Sequence, residues 1–525
     1  LEDPRAIYAG RRALQRRLGT AARLGAAARG AAAWLRGADA AMGMGNRVVL
    51  LAITRFANYG LMLVSPIVLV RLLTVQQFGS YREFLLYVGI MQTTAGFGVS
   101  ESLLYFVAAY PASPWRVVRH TVALTFACSA LVVALLLAAD FLSHGALVGS
   151  YRWPLAICTL CATNLDFWEC FWVAQRRPVA IFAYSAGRLF LRLAVVIGAA
   201  ALTHDVRIIV WSFVALEGVR LVLAALAMRV LDKSASEPAL VKPWSELMRF
   251  CVPSGFAALI AMVSRNVSSV AVVKLIGSAA LAQYSIGRFG EPIVITLRNS
   301  VSTVVLPEMV RQDRLARDGA LALWRQATVT NAIFLFPVAV LVGWFAHPIV
   351  VTVFGSNYAP AALVLQLYML VVLRECFDFA PPLRAANHTT PMVASNIASA
   401  LTCLGGVFLL VPRAGVAGAM AAYALACFVD ATILAISTLK TYRAQIGSLL
   451  PWARLARVAL AALIAGVALL GGASGGLPEA LADALAGVVY LAAFVVLLFV
   501  LRVPEAHLLV GWLRRTVSAI AVKGA

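Results

Sequence analysis

Eight arginines and eight carboxylates stand inside long apolar stretches of this chain, where they are best placed to do chemistry. The bases are Arg55, Arg188, Arg192, Arg220, Arg265, Arg288, Arg298 and Arg374. The acids are Glu101, Asp166, Glu169, Glu217, Glu291, Glu375, Asp378 and Asp430. A guanidinium stays protonated and grips oxyanions through paired N–H groups, so buried arginines suit phosphate recognition. Equal numbers of both signs also suit interhelical ion pairs. Spacing separates some of these uses. Arg220 follows Glu217 by three residues, Arg288 precedes Glu291 by three and Arg374 precedes Asp378 by four, so each has an acid one helical turn away. Arg55, Arg188, Arg192, Arg265 and Arg298 have no acid within four residues. An unpaired charge deep in a membrane helix costs about 2.5–3.5 kcal/mol on insertion scales, so another helix, water or an anionic ligand must compensate it.

The stretch Asn164–Trp172 (NLDFWECFW) carries a second kind of chemistry. Asp166 and Glu169 share one helix face, and two nearby carboxylates in low dielectric raise a pKa into a range where a proton is held and released. The same pair suits Na⁺. Trp168 and Trp172 lie four apart beside them, suited to stacking on sugar rings. Ion pairing of the acids to Arg188 or Arg192, with the tryptophans packing or anchoring at the interface, is the structural alternative.

Positioning these groups requires about fourteen membrane-spanning helices. Hydrophobic residues make up 62% of 525, charged residues 13%, and mean hydropathy is +0.88. Each span needs roughly 20 apolar residues to cross about 30 Å of hydrocarbon. The pattern places spans near 48–72, 84–109, 117–139, 152–175, 179–203 and 207–230, then 247–276, 280–307, 326–347, 360–386, 391–412, 415–439, 453–472 and 484–502. Between the two sets lies 231–246 (LDKSASEPALVKPWSE), rich in charge, Ser and Pro. The expected organisation is a basic segment 1–46, a six-helix block 47–230, a cytoplasmic linker 231–246, a second block 247–440, two further helices 441–503 and a tail 504–525.

Charge placement orients these spans. With both termini in the cytoplasm, 30 of the 44 Lys and Arg fall in inner segments, 6 in outer loops and 8 within the membrane. That bias is a strong positive-inside signal. It also accounts for a pI of about 10.2 through topology and attraction to anionic lipids, without nucleic-acid binding. The first 46 residues are Ala-, Gly- and Arg-rich and lack the apolar core of a secretory signal. A basic amphipathic helix on the inner leaflet, an organellar transit peptide and sequence upstream of a start at Met42 or Met44 remain open readings. No phosphate-binding G-x-x-x-x-G-K-[ST] loop and no H-E-x-x-H motif occur. Cys158 and Cys161 form a C-x-x-C inside a span, with no second pair to complete a metal site.

A weak internal repeat relates VRLLTVQQFGSY at 70–81 to VKLIGSAALAQY at 273–284, each with Tyr ten residues after a base. Repeated halves with a substrate site between them are a common transporter plan. Longer stretches carry a specific resemblance. VRLLTVQQFGSYREFLLYVGIMQTTAGFGVSESLLYFVA, FCVPSGFAALIAMVSRNVSSVAVVKLIGSAALAQYSIGRFGEPI with VSTVVLPEMVR, and VTVFGSNYAPAALVLQLYML with LVPRAGVAGAMAAYALACFVDATIL resemble the polysaccharide and oligosaccharide-lipid flippases. These belong to the multidrug/oligosaccharidyl-lipid/polysaccharide exporter superfamily. The resemblance covers roughly residues 46–445. Its most distinctive pieces are Phe354, Gly355, Tyr358, Pro360 and Ala361, then Pro412, Arg413, Gly415, Gly418 and Ala419.

What the resemblance implies is an all-α integral membrane protein of two pseudo-symmetric six-helix lobes plus two C-terminal helices. The family's cargo is a polyprenyl-diphosphate-linked oligosaccharide, moved from the inner to the outer leaflet of the bacterial cytoplasmic membrane by alternating access. Its partners would be that lipid, anionic membrane lipids and other polysaccharide-assembly proteins. In the family plan the first, second, seventh and eighth spans line the cavity. This promotes Arg55, Arg265, Arg288 and Arg298 as cargo contacts, supported by Asn58 and Asn266, with Arg188 and Arg192 on the fifth span behind them. Glu101 becomes a cavity acid or an Arg partner. No cofactor is implied. Transport is expected to draw on a proton or sodium gradient, with Asp166, Glu169 and Asp378 as coupling candidates and Asp430 after them. The alternatives are a multidrug cation exporter, which wants an acid-dominated cavity, and a membrane glycosyltransferase or polysaccharide polymerase. The last needs a sizeable outer loop with catalytic acids, whereas the outer acids Glu83, Asp140, Asp205, Glu479 and Asp483 are scattered.

Overall fold

The computed structural model describes residues 60 and 63–506, apart from 61–62, 146–147, 176, 232–235, 239–242, 314–316 and 471–478. Arg55, Asn58, the 1–46 segment and both termini lie outside the described residues. The described chain is helical throughout: α1 Leu63–Leu72, α2 Val75–Gly96, α3 Leu103–Ala109, α4 Pro114–Leu142, α5 Arg152–Thr163, α6 Phe167–Ala174, α7 Pro178–Thr203 and α8 Val206–Leu231. It continues with α9 Pro243–Leu275, α10 Ser278–Gly287, α11 Glu291–Asp313, α12 Arg317–Trp344, α13 Ala346–Phe354, α14 Ala361–Glu375, α15 Ala380–Ala385, α16 Thr390–Tyr442, α17 Trp452–Leu470 and α18 Glu479–Val500. Eight helices among the described residues are long and apolar enough to cross a membrane, and this is a multi-pass membrane protein.

The 53-residue α16 is too long for one crossing, since it would extend about 80 Å at 1.5 Å per residue. Gly415 breaks it, with φ 53° and ψ −129°, a conformation barred to most side chains. The two arms fold back on each other: a Cβ on Gly406 would lie 3.0 Å from that of Ala422. The result is a helical hairpin turned at the P-R-A-G segment. Polar side chains interrupt two other apolar stretches. In one, Asn164 Nδ2 donates to the Leu160 carbonyl (2.7 Å), and α5 ends there before α6 begins. In the other, α14 stops at Glu375 and α15 restarts at Ala380.

The chain divides into two compact units. The first takes the chain up to Leu72 and Phe84–Leu259; the second takes Leu73–Glu83 and everything from Ile260. In the first unit, α8 packs on α5 and α7, α4 on α5, and α3 on α6. A core of Phe106, Val118, Phe167, Trp168, Phe171 and Leu247 lies beneath the α3 and α6 ends. The inter-block linker docks here. Glu237 accepts the backbone N–H groups of Trp115 (3.2 Å) and Arg116 (2.9 Å), capping the start of α4 from 121 residues away. Ser113, the N-cap residue, makes no side-chain cap of its own and donates instead to the Pro238 carbonyl (3.0 Å).

In the second unit α12 is the hub, touching α11, α14 and α17. The two C-terminal helices belong to this unit. α18 packs on α17, and Tyr490 donates to the Pro337 carbonyl in α12 (3.3 Å). The start of α2 joins α10 closely enough that Gly79 has no room for a Cβ beside the Ser278 carbonyl. Ser278 Oγ donates to Glu83 (2.6 Å), and Phe78 meets Tyr358 edge-on. The two copies of the internal repeat thus touch each other.

Candidate functional site

In the first unit the charged groups gather around the α5–α6 break. Asp166 opens α6 on an exposed position and makes no hydrogen bond or ion pair among the described residues. Glu169, one turn later, pairs with Arg188 on α7 (3.3 Å). Arg220 pairs with Glu217, as their spacing predicts, and donates to Tyr184 Oη (3.0 Å), which itself donates to the Leu165 carbonyl (3.3 Å). Arg192 has no carboxylate partner among the described residues; its guanidinium lies 4.4 Å from the Phe213 ring centre. Trp168 is 5% exposed and stacks on Trp172 at 5.7 Å. Packed among Phe167 and Phe171, it is a core residue and not a platform for sugar.

In the second unit most of the charge is locked in pairs. Arg288, 9% exposed, donates to Glu291 through Nε (3.1 Å) and a terminal nitrogen (2.8 Å). Its third donor reaches Tyr284 Oη (3.0 Å), and the Tyr423 ring covers it at 4.0 Å. Arg298 on α11 pairs with Glu375 and lies 3.7 Å from Asp378. Arg374 pairs with Glu375 (3.0 Å) and Asp430 and donates to the Cys427 carbonyl (3.0 Å). The expected Arg374–Asp378 pairing does not form. α14 ends at Glu375, so position 378 is not one helical turn further on. Asp378 accepts instead from Ser302 (2.9 Å) and from the Ala380 N–H (3.1 Å), starting α15.

Arg265 stands apart. It is exposed on α9 and makes no hydrogen bond or ion pair among the described residues. Its neighbour Asn266 donates back to the Met262 carbonyl (2.9 Å). Glu101 is likewise exposed. Among the described residues no group of three or more His, Cys, Asp or Glu could hold a metal ion, and the cysteines are free.

Three residues that matter here carry no charge. Tyr184, Tyr284 and Tyr423 organise the arginines by hydroxyl and ring. A signal for two of them is visible in the chain: Tyr-Ser-x-Gly-Arg occurs at 184–188 and again at 284–288. Both put a tyrosine one turn before an arginine, and both rings lie within 6.0 Å of that guanidinium.

This all-helical, multi-pass bundle has the fold of solved members of the multidrug/oligosaccharidyl-lipid/polysaccharide exporter superfamily. The solved lipid II flippase MurJ, in an inward closed conformation, superposes with a TM-score of 0.62 at 14% identity, over 86% of this chain and 99% of its own. A superfamily transporter from Pyrococcus furiosus superposes at 0.52 with 14% identity, over 77% and 96%. The Vibrio cholerae MATE transporter VcmN does so at 0.52 with 12% identity, over 76% and 96%. No curated protein matches by sequence. Residues 68–363 match the polysaccharide biosynthesis protein family, and the chain belongs to that family.

Proposed function

We propose that this chain flips a polyprenyl-diphosphate-linked oligosaccharide from the inner to the outer leaflet of the bacterial cytoplasmic membrane, for cell-surface or exopolysaccharide synthesis. The observation that carries this reading is Arg265, a permanent cation exposed on a membrane helix and unpaired among the described residues. An anionic headgroup offsets the cost of about 2.5–3.5 kcal/mol that such a charge imposes. Family membership supports a role in polysaccharide synthesis, and the shared fold with a protein named a lipid II flippase supports a lipid-linked cargo. A cation exporter gains nothing from a lone arginine in its path.

In this reading fourteen spans form lobes at 47–230 and 247–440, with 441–503 added on the second and both termini in the cytoplasm. Arg265 and Arg55 hold the diphosphate, with Asn266 and Asn58 as neutral donors. Arg192, which lies against the Phe213 ring and has no carboxylate partner among the described residues, is the next cation available. Arg188, Arg288 and Arg298 reach cargo by exchanging carboxylate for phosphate. The polyprenyl tail stays in lipid while the head passes through a wet, cationic path. Asp166, with no hydrogen bond or ion pair among the described residues, is the first candidate to bind and release the coupling proton or sodium ion, and Glu169 and Asp378, held by Arg188 and Arg298, are the other candidates.

The test is complementation of a bacterium lacking its own oligosaccharide-lipid flippase, with Arg55→Ala, Arg265→Ala and Arg298→Ala at matched membrane levels. Restored surface glycan with wild type and its loss with Arg265→Ala are expected. Full restoration by Arg265→Ala removes the cationic-path reading. Where wild type itself does not restore glycan, binding of a polyprenyl diphosphate to the purified protein decides the cargo.

A further inference from the structure

A small cleft opens in the first unit where the end of α3 meets the starts of α4 and α9. Its interior volume is about 20 Å³, and it is lined by Phe106, Tyr110, Val117, His120, Thr121, Glu246 and Leu247. Glu246 is the single formally charged side chain in that lining. The Tyr110 hydroxyl donates to its Oε2, and Oε1 has no hydrogen-bond partner among the described residues. That bond to the carboxylate holds the Tyr110 phenol above the usual tyrosine range. His120 binds the Arg116 carbonyl through Nδ1 (2.7 Å) and presents its ring to Trp244 at 5.1 Å.

A carboxylate among aromatic rings selects a cation. A primary ammonium donates N–H groups to the open Oε1 of Glu246, whereas a trimethylammonium has no N–H to offer. Arg249 supplies the opposite charge. It is exposed, follows Glu246 by three residues on α9, and has no partner among the described residues, Glu246 included. Side chains at that spacing are about 5–6 Å apart. Two opposite charges one turn apart and unpaired with each other match a zwitterion whose ammonium and phosphate are separated by two carbons. From the cleft an aromatic path leads outward: Phe106 meets Phe250 (5.7 Å), and Phe250 stacks on Tyr105 (5.6 Å), which is 58% exposed.

We propose that this cleft binds the headgroup of an ethanolamine phospholipid, with Glu246 on the ammonium, Arg249 on the phosphate and Tyr105 and Phe250 against an acyl chain. The site is independent of the cargo assigned above. It holds a bilayer lipid as a fixed structural neighbour of α3, α4 and α9.

Native mass spectrometry of the full chain in detergent, titrated with palmitoyl-oleoyl phosphatidylethanolamine, phosphatidylcholine and phosphatidylglycerol, tests it. The ethanolamine lipid is expected to bind about tenfold more tightly than the other two, the scale of one charge-assisted hydrogen bond. Glu246→Gln abolishes the preference, and Arg249→Gln weakens ethanolamine and choline lipids alike. Tyr110→Phe removes the internal bond to Glu246 yet keeps the carboxylate, so it retains the preference. Equal binding of ethanolamine and choline lipids, tightest binding of phosphatidylglycerol, or a preference that survives Glu246→Gln each overturns the site.

Discussion

Arg298 on α11 and Glu375 on α14 stand 77 residues apart in sequence and form an ion pair inside the second unit. Glu375 also binds Arg374, which reaches on to Asp430, while Arg298 extends to Asp378. Two guanidiniums and three carboxylates therefore tie α11, α14, α16 and the turn before α15 into one network. Breaking a buried network by removing one member leaves its partner's charge uncompensated, which costs more than the pair contributes.

Arg374 is the most consequential member, 8% exposed and holding two acids. Arg374→Met is expected to destabilise the protein by about 3–5 kcal/mol, because Asp430 loses its cation. Combining it with Asp430→Leu should recover much of that loss. Thermal unfolding of the purified variants in one detergent measures both. A double variant no more stable than the single one would show that Asp430 is not the group left stranded.

The Glu169–Arg188 pair is the contrasting case, with side chains 39% and 35% exposed. A double-mutant cycle between Glu169→Gln and Arg188→Gln should return a coupling of about 0–1 kcal/mol. Transport should respond more than stability does. A coupling as large as that of Arg374 would mean that the pair is sealed from solvent.

Glu237 caps α4 from the linker, so its effect is local and calculable. Glu237→Ala is expected to cost about 0.5–2 kcal/mol, the range for loss of an N-cap. Glu237→Gln keeps an accepting oxygen and should cost less. Proteolysis of the 231–246 segment, faster in Glu237→Ala than in wild type, reports release of the linker.

Gly415→Ala tests the α16 hairpin. A side chain at φ 53° and ψ −129° is strained by about 1–3 kcal/mol. Gly405→Ala nearby has open space around it and should be nearly neutral. Comparing their melting temperatures isolates the backbone effect from small-residue packing.

Much of this protein was readable from one dimension. Membrane residence and the all-helical, multi-pass character follow from hydropathy, because lipid requires every spanning segment to satisfy its own backbone. Pairs within a helical turn were readable as well, and Arg220–Glu217 and Arg288–Glu291 formed as spaced. Other partnerships were not. Arg298 has no acid within four residues, and its partners come from α14 and the turn beyond. Arg374 was matched by spacing to an acid that lies past the end of its helix. The charges themselves were therefore fixed by local composition, while their pairing was decided by which helices came to lie side by side. Only the folded chain separates Arg288, enclosed by Glu291 and two tyrosines, from Arg265, an identical side chain left exposed without a partner among the described residues.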